Sequence, residues 1–405
     1  MSDALLRDPY PVYAKARETP GLTFLPEMNA WLVARDADVR EVLRSPEVFS
    51  SANALRGDFV PEPSVLAELG KGVGGAPIVV TSDGAAHQRY RAPLVRGLSP
   101  ARIAAVVPFI RERAESLVDA FASAGRASAQ MSRVELVRAY ARRLPGEVIG
   151  RLLGLDPEHV TLAVETGYRA EELFFLPVGE EGRIAAAREV VALQHLLDEY
   201  ARSRREDPRD DLCTEMVRAL APGAGPLTRE QRAELVSNLQ NLLIAGHLTT
   251  TALICTAVLH LLRHPAQWEL LCARPGLIPD AVEEAARHDA PVQAFRRVTT
   301  RPVTLAGTDL PEGAAVLVAY GSANRDEARH DRPGDFDVTR RARRHLAFGH
   351  GVHSCPGAQL AREQVRITLE ILTRRLPGLR LAEDRPVVMA PTLIHRGPEE
   401  LWLTW

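Results

Sequence analysis

A chain of 405 residues with a formal net charge of −2 lacks the basic footprint that nucleic acid selects, so no nucleic-acid partner is expected. Its four cysteines, Cys213, Cys255, Cys272 and Cys355, show no CxxC pairing, which argues against a zinc site or a disulfide framework. No stretch approaches eighteen consecutive apolar residues, and Met1–Pro9 has neither a signal h-region nor an anchor, which predicts no membrane segment and a cytoplasmic protein.

The length exceeds that of a usual domain, yet no Gly/Ser linker, repeat or low-complexity break divides the chain, which predicts one mainly α domain over residues 1–405. Helical periodicity opens at 9–19 and 36–45, with alternating runs at 23–25 and 30–34 that predict minor strands. Residues 51–80 hold Gly57, Gly70, Gly72, Gly74, Gly75 and three prolines, the composition of a loop that moves to admit a ligand. A helix over 84–98 follows Asp83 and places His87 and Arg91 four residues apart on one face. Pro93 within it predicts a bend or an early end.

Further helices are predicted over 100–123, 132–154, 160–175, 180–205 and 211–220. The longest pattern runs over 228–262, with Thr228 as a helix cap, and spans roughly 50 Å at 1.5 Å per residue. Asn241, Ala245 and Thr249 recur at four-residue intervals and share one of its faces. Its centre reads Ala245-Gly246-His247-Leu248-Thr249-Thr250. There the glycine weakens the helix and a threonine hydroxyl can bond back to the Ala245 carbonyl, so a local bulge is expected. Cys255 and Cys272 read as small buried hydrophobes.

Helices over 264–274 and 278–289 come next, and in the second Glu284 and Arg287 stand three apart, within reach of an ion pair. Taken alone such a pair is a solvated bridge worth well under ~1 kcal/mol. A strand around Phe295-Arg296-Arg297 and the loop 325–340 lead to the most informative run, Phe348-Gly349-His350-Gly351-Val352-His353-Ser354-Cys355-Pro356-Gly357. Glycines ahead of Cys355 let the backbone turn tightly and approach a flat ligand. The helix predicted over 358–374 then sets the sulfur at a helix N-terminus, where the dipole lowers a thiol pKa and favours a thiolate ready to ligate a metal. The tail 400–405 alternates like a strand.

The pattern Phe-x-x-Gly-x-x-x-Cys-x-Gly resembles the haem loop of the cytochrome P-450 monooxygenases, and the Glu284/Arg287 helix and the Ala245–Thr250 centre resemble that family's other marks in the same order. The resemblance covers essentially the whole chain. It implies the cytochrome P-450 fold, a large helical domain with small β-sheets and haem b held between the long distal helix and the helix after the Cys loop. It implies Cys355 as iron ligand, with electron donation that favours O–O cleavage. Phe348 and Gly349 are implied beside the cofactor, Ala245, Gly246 and Thr249 at the oxygen groove, and His87, Arg91, Arg297 and His353 on the haem propionates, which call for Arg forks. Asn241, Val292, Phe295 and Ile394 are implied substrate contacts, with residues 51–80, Phe174–Leu176 and Leu393 around them.

Three departures qualify the likeness. Leu248 stands where the family keeps an acid that relays protons, leaving water, His247 or the substrate as proton sources. Asp335 stands where many members have the Arg that completes a triad with Glu284 and Arg287, and either Arg329 or Arg332 is a candidate for that role. Pro356 has no N–H to give the sulfur, which predicts a more negative haem potential. The expected activity is that of a soluble bacterial-type monooxygenase oxidising a small-to-medium organic substrate with O2, in natural-product biosynthesis. The alternative is a haem-thiolate oxidase that couples C–C or C–O bonds or forms rings. Electrons are expected from separate ferredoxin and ferredoxin reductase chains. Of the 50 basic residues only Lys15 and Lys71 are lysine, a bias that GC-rich coding produces, and Arg89, Arg96, Arg343, Arg344 and Arg362 are candidates for a ferredoxin dock.

Overall fold

The computed structural model describes residues 3–57, 59–126, 132–341 and 344–405. Its helices in chain order are α1 (Asp3–Arg7), α2 (Tyr10–Glu18), α3 (Asp36–Arg44), α4 (Pro63–Leu69), α5 (Gly84–Gly97), α6 (Pro100–Arg126), α7 (Arg143–Leu153), α8 (Pro157–Phe175), α9 (Glu180–Glu206), α10 (Leu212–Leu220), α11 (Arg229–Arg263), α12 (Pro265–Ala273), α13 (Ile278–His288), α14 (Tyr320–Ala323) and α15 (Ala358–Arg375). The strands are β1 (Thr23–Leu25), β2 (Ala30–Val33), β3 (Phe49–Ser50), β4 (Arg133–Glu135), β5 (Ala294–Thr299), β6 (Val303–Leu305), β7 (Thr308–Leu310), β8 (Ala315–Ala319), β9 (Arg380–Leu381) and β10 (Trp402–Thr404). The fold is mainly α with small sheets, as the periodicity predicts.

The chain clusters into two compact units. The first comprises Met1–Phe49, Ile103–Pro145 and Thr249–Trp405. Its main sheet has the order β1-β2-β8-β5-β3. The parallel β2–β8 pair is covered on both faces, as apolar parallel strands require: Val33, Val316 and Val318 pack on one side with Val39, Val42 and Tyr320, while Leu32, Leu317 and Ala319 pack on the other with Tyr13 and Leu393. A second sheet, β4-β10-β9, joins the C-terminal strand to residues 133–135. That pairing overturns the helix predicted from 132. The Glu135 carboxylate accepts the amides of Val137, Arg138 and Leu401 at 2.9 Å each, capturing donors an α-helix would use. A π-helical turn at Val137–Ala141 follows before α7 begins.

The second unit comprises Ser50–Arg102 and Gly146–Leu248. Val65 of α4, Ala170 and Leu173 of α8, and Ala186, Ala187 and Val190 of α9 form one of its cores. Within the segment expected to be a moving loop, residues 63–69 form α4, started by Pro63 at a position where its missing N–H costs nothing. Residues 74–79 are also tethered: the Gly74 amide donates to Gln194 Oε1, the Ala76 amide to Ser237 Oγ and the Val79 amide to Asn238 Oδ1, each at 3.1 Å. Pro93 does not end α5, which continues to Gly97.

Helix α11 is α-helical from Arg229 to Arg263, so the bulge expected at Ala245–Thr249 makes no break in it. Thr228 starts it through a capping box: the Gln231 amide donates to Thr228 Oγ1 at 3.3 Å and the Thr228 amide to Gln231 Oε1 at 3.0 Å. Among the described residues α11 is the one helix long and apolar enough to cross a membrane unaided, and 78% of its most apolar window is buried within the fold, the mark of a core helix.

Candidate active site

The loop before α15 presents Cys355 as the exposed cysteine of the four, while Cys213 and Cys255 are buried and Cys272 is half-buried. Burial pushes the Cys213 thiol up to about 12, which leaves it inert. Gly349 and Gly351 both have left-handed backbones, with φ of 71° and 68°. A Cβ on Gly351 would stand 2.4 Å from the Leu43 carbonyl oxygen, so only glycine lets the loop lie against the end of α3. The Cys355 amide donates to the Phe348 carbonyl at 2.8 Å, closing the loop and holding the sulfur three residues ahead of Ala358, the first residue of α15. An accessible sulfur on a glycine-bearing loop at a helix start is suited to ligating a metal.

Phe348 is clamped. The Arg362 guanidinium lies 4.2 Å from its ring centroid, and the His345 ring centroid is 5.9 Å away. Glu283 holds both clamps, through Arg362 Nε at 2.5 Å and His345 Nε2 at 3.1 Å. Burial alone would raise the Glu283 carboxyl, but the hydrogen bonds from His345 and Arg362 outweigh it and hold the group at about 2. Sequence reasoning missed Glu283 and His345; the doublet Glu283-Glu284 ahead of Arg287 was the available signal.

Beside that clamp, Glu284 and Arg287 are both fully buried and paired at 2.7 Å. Arg287 also donates to the carbonyls of Asn324, Pro333 and Asp335. The second cation on Glu284 is Arg340, at 3.2 Å, and not the expected Arg329 or Arg332. Arg332 is drawn instead to Asp331 and Asp335, and Asp335 serves the cluster with its carbonyl rather than its side chain.

In the same unit Arg297 is 3% exposed on β5, where it faces Tyr320 and lowers that phenol against the rise from burial. Phe295, two residues earlier on the same strand face, sits edge-on to Tyr320 at 6.1 Å. Backbone bonds from the Gln293 and Ala294 amides to the Leu393 carbonyl, at 2.8 and 3.3 Å, bring Val292 and Phe295 to the turn carrying Ile394. His353 ends a short 3-10 turn, Gly351–His353.

His87, Arg91, Asn241, Ala245 and Gly246 belong to the second unit. His87 is buried, and burial and Arg91 lower its pKa. Asp83, at the start of α5, accepts the Ser51 amide at 3.1 Å and the Ser50 hydroxyl, which fixes that helix end. Along α11, Ala245 is exposed and Asn241, Gly246 and Thr249 half-buried, while their neighbours His247 and Leu248 are buried. The helix therefore keeps one open strip on the face that spacing predicts. His247 turns the other way: its Nδ1–H donates to the Leu243 carbonyl at 2.6 Å, its ring meets Tyr168 edge-on at 5.5 Å, and a Cβ on Gly167 would strike it at 2.5 Å. Leu248 packs against the same glycine. Gly246 is itself a packing device, since a Cβ there would meet Ile149 of α7 at 2.7 Å.

Of the arginines considered for a docking face, Arg89 is bound to Glu234, Arg96 lies 3.7 Å from Glu215 and Arg362 is committed to Glu283. Arg343 lies outside the described residues.

A family model described as Cytochrome P450 matches residues 276–383. The chain is 34% identical over 393 residues to Cytochrome P450 107B1 of Saccharopolyspora erythraea, covering 94% of this chain and 90% of that one. It is 34% identical over 389 residues to Mycinamicin IV hydroxylase/epoxidase of Micromonospora griseorubida, covering 93% and 90%. Among solved structures, that of cytochrome P450 CREJ in complex with (4-ethylphenyl) dihydrogen phosphate superposes with a TM-score of 0.90 at 30% identity, covering 99% of this chain and 98% of that one.

Proposed function

This chain belongs to the cytochrome P450 family and is a haem-b monooxygenase, and on that premise we propose that it oxidises a small-to-medium organic molecule of natural-product biosynthesis in the cytoplasm, as a single catalytic domain fed by a separate ferredoxin and ferredoxin reductase. The similarity to Mycinamicin IV hydroxylase/epoxidase supports the substrate class. When bound, haem supplies reductive activation of O2, assisted by electron donation from a sulfur ligand. Cys355 is that ligand, and its accessible sulfur among three less accessible thiols is the observation that carries the reading.

His87, Arg91, Arg297 and His353 would hold the propionates of bound haem, and the burial of His87 and Arg297 would give such contacts a low dielectric. Phe348 and Gly349 shape the cofactor's edge. Thr249 Oγ1 would hold and pass a proton at the strip left open by Ala245 and Gly246, and Asn241, Val292, Phe295 and Ile394 would contact substrate.

A second reading, oxidative coupling or ring formation, is favoured by Leu248. It is 2% exposed and packed on Gly167, so the usual acidic relay is replaced by an apolar seam. His247 faces α8, which leaves water or the substrate itself as the proton source. Turnover of a metabolite panel with a surrogate ferredoxin system, followed by product analysis, separates the two: an added oxygen atom supports monooxygenation, and loss of two hydrogens without oxygen incorporation supports coupling. Leu248→Glu is expected to change coupling efficiency or product ratio; no change in either contradicts the special proton route.

A further inference from the structure

A cleft of about 550 Å³ opens between α3 and the loop leading to Cys355, lined by Asp36, Arg40, Arg44, Arg329, Arg344 and His350 among others. The volume lies within the range of small-molecule sites, and four of the lining residues are arginines. Arg40 is neutralised by Asp36 at 2.7 Å, and Arg44 Nε donates to His350 Nε2 at 3.3 Å, so that imidazole is neutral and offers no counter-charge. Among the described residues no carboxylate lies within ion-pair distance of Arg329 or Arg344. In a chain whose arginines are otherwise so often paired, cations gathered around one concavity whose carboxylate, Asp36, is already taken by Arg40 call for an anion from outside.

The backbone is arranged to keep them there. Arg344 has a left-handed φ of 70°, a conformation costly for a side chain with a Cβ. The second Arg40 nitrogen holds it by donating to the Arg344 carbonyl at 2.7 Å. Guanidinium forks match phosphoryl oxygens two by two, and a phosphate tolerates the several cations that a single carboxylate would leave unbalanced.

We propose that this cleft is a binding site for a small phosphoryl anion, distinct from the substrate site and independent of the substrate reading above. Gly349 and the neighbouring His350 form one wall, so occupancy stiffens the same loop that positions Cys355.

The test is calorimetric titration of the holoenzyme with pyrophosphate in divalent-free buffer, repeated with the exposed pair changed together, Arg329→Gln and Arg344→Gln. One pyrophosphate per chain is expected, with at least a tenfold loss of affinity in the double variant and an unaltered reduced carbon-monoxide spectrum. ADP binding more tightly than pyrophosphate would identify a phosphorylated organic molecule as the occupant; equal affinity would identify the phosphoryl groups alone. No heat from the parent, or equal affinity in the variant, overturns the proposal. So does a variant that keeps its pyrophosphate affinity but is reduced more slowly by the surrogate ferredoxin, because those cations would then serve protein docking.

Discussion

Glu284 takes hydrogen bonds from Nε and Nη2 of Arg287, from Arg340 and from the Asp337 amide. A carboxylate with no exposure and four donors leaves two stranded cations if it is lost. Glu284→Ala is therefore expected to destabilise the fold by about 3–5 kcal/mol, read as a lowered urea midpoint at unchanged slope, whereas Arg332→Ala, on a side chain 66% exposed, should fall within about 0.5 kcal/mol of the parent. Similar losses for the two would contradict the assignment of Arg340 over Arg332. The Glu284/Arg287 pair was legible in the sequence because its members are one helical turn apart. Arg340 was not, because it lies 56 residues from Glu284 and nothing local distinguishes it from Arg329 or Arg332. Glu283 escaped for the same reason: its work is done on His345 and Arg362, 62 and 79 residues away.

At the level of elements, α11 depends on small residues where it meets its neighbours. Gly246→Ala pushes a methyl into Ile149, an overpacking expected to cost about 1–3 kcal/mol. Adding Ile149→Ala should recover part of that loss, and a double-mutant cycle with no coupling would show that the glycine serves something other than this contact. The length, cap and open strip of α11 could be read from periodicity, since Thr228, Asn241, Ala245 and Thr249 obey local rules. The β4 strand could not. Its alternation spans only three residues, and its partner β10 lies at the other end of the chain. Pro93 marks no helix end, since α5 runs four residues past it to Gly97.

Across the molecule, buried histidines bind α11, α13 and the 325–340 loop together and make the fold acid-labile. His260 Nε2 lies 3.0 Å from Asp289 Oδ2. The His260 and His288 rings are 4.6 Å apart, and Phe336 packs edge-on to His288 at 5.4 Å. Burial, then neighbouring arginines, lower His288, burial lowers His260 despite Asp289, and burial with Arg287 lowers His330 to about 4. Lowered imidazole pKa values mean that the unfolded chain binds protons first. Their contribution is complete above about pH 6.5 and is lost as pH falls toward each folded value. Stability measured by urea unfolding should fall from pH 7 to pH 5, by up to about 1.4 kcal/mol per pH unit for each such histidine. His288→Phe should flatten that slope, and a parent profile that is level or rising toward pH 5 would contradict it.

The central claim is that Cys355 gives its sulfur to a haem iron, and the difference spectrum of the reduced, carbon-monoxide-treated holoenzyme reads that bond directly. The parent should show the red-shifted Soret band of thiolate-ligated iron, and Cys355→Ser should lose it. A parent without the band, or a serine variant that keeps it, contradicts the account.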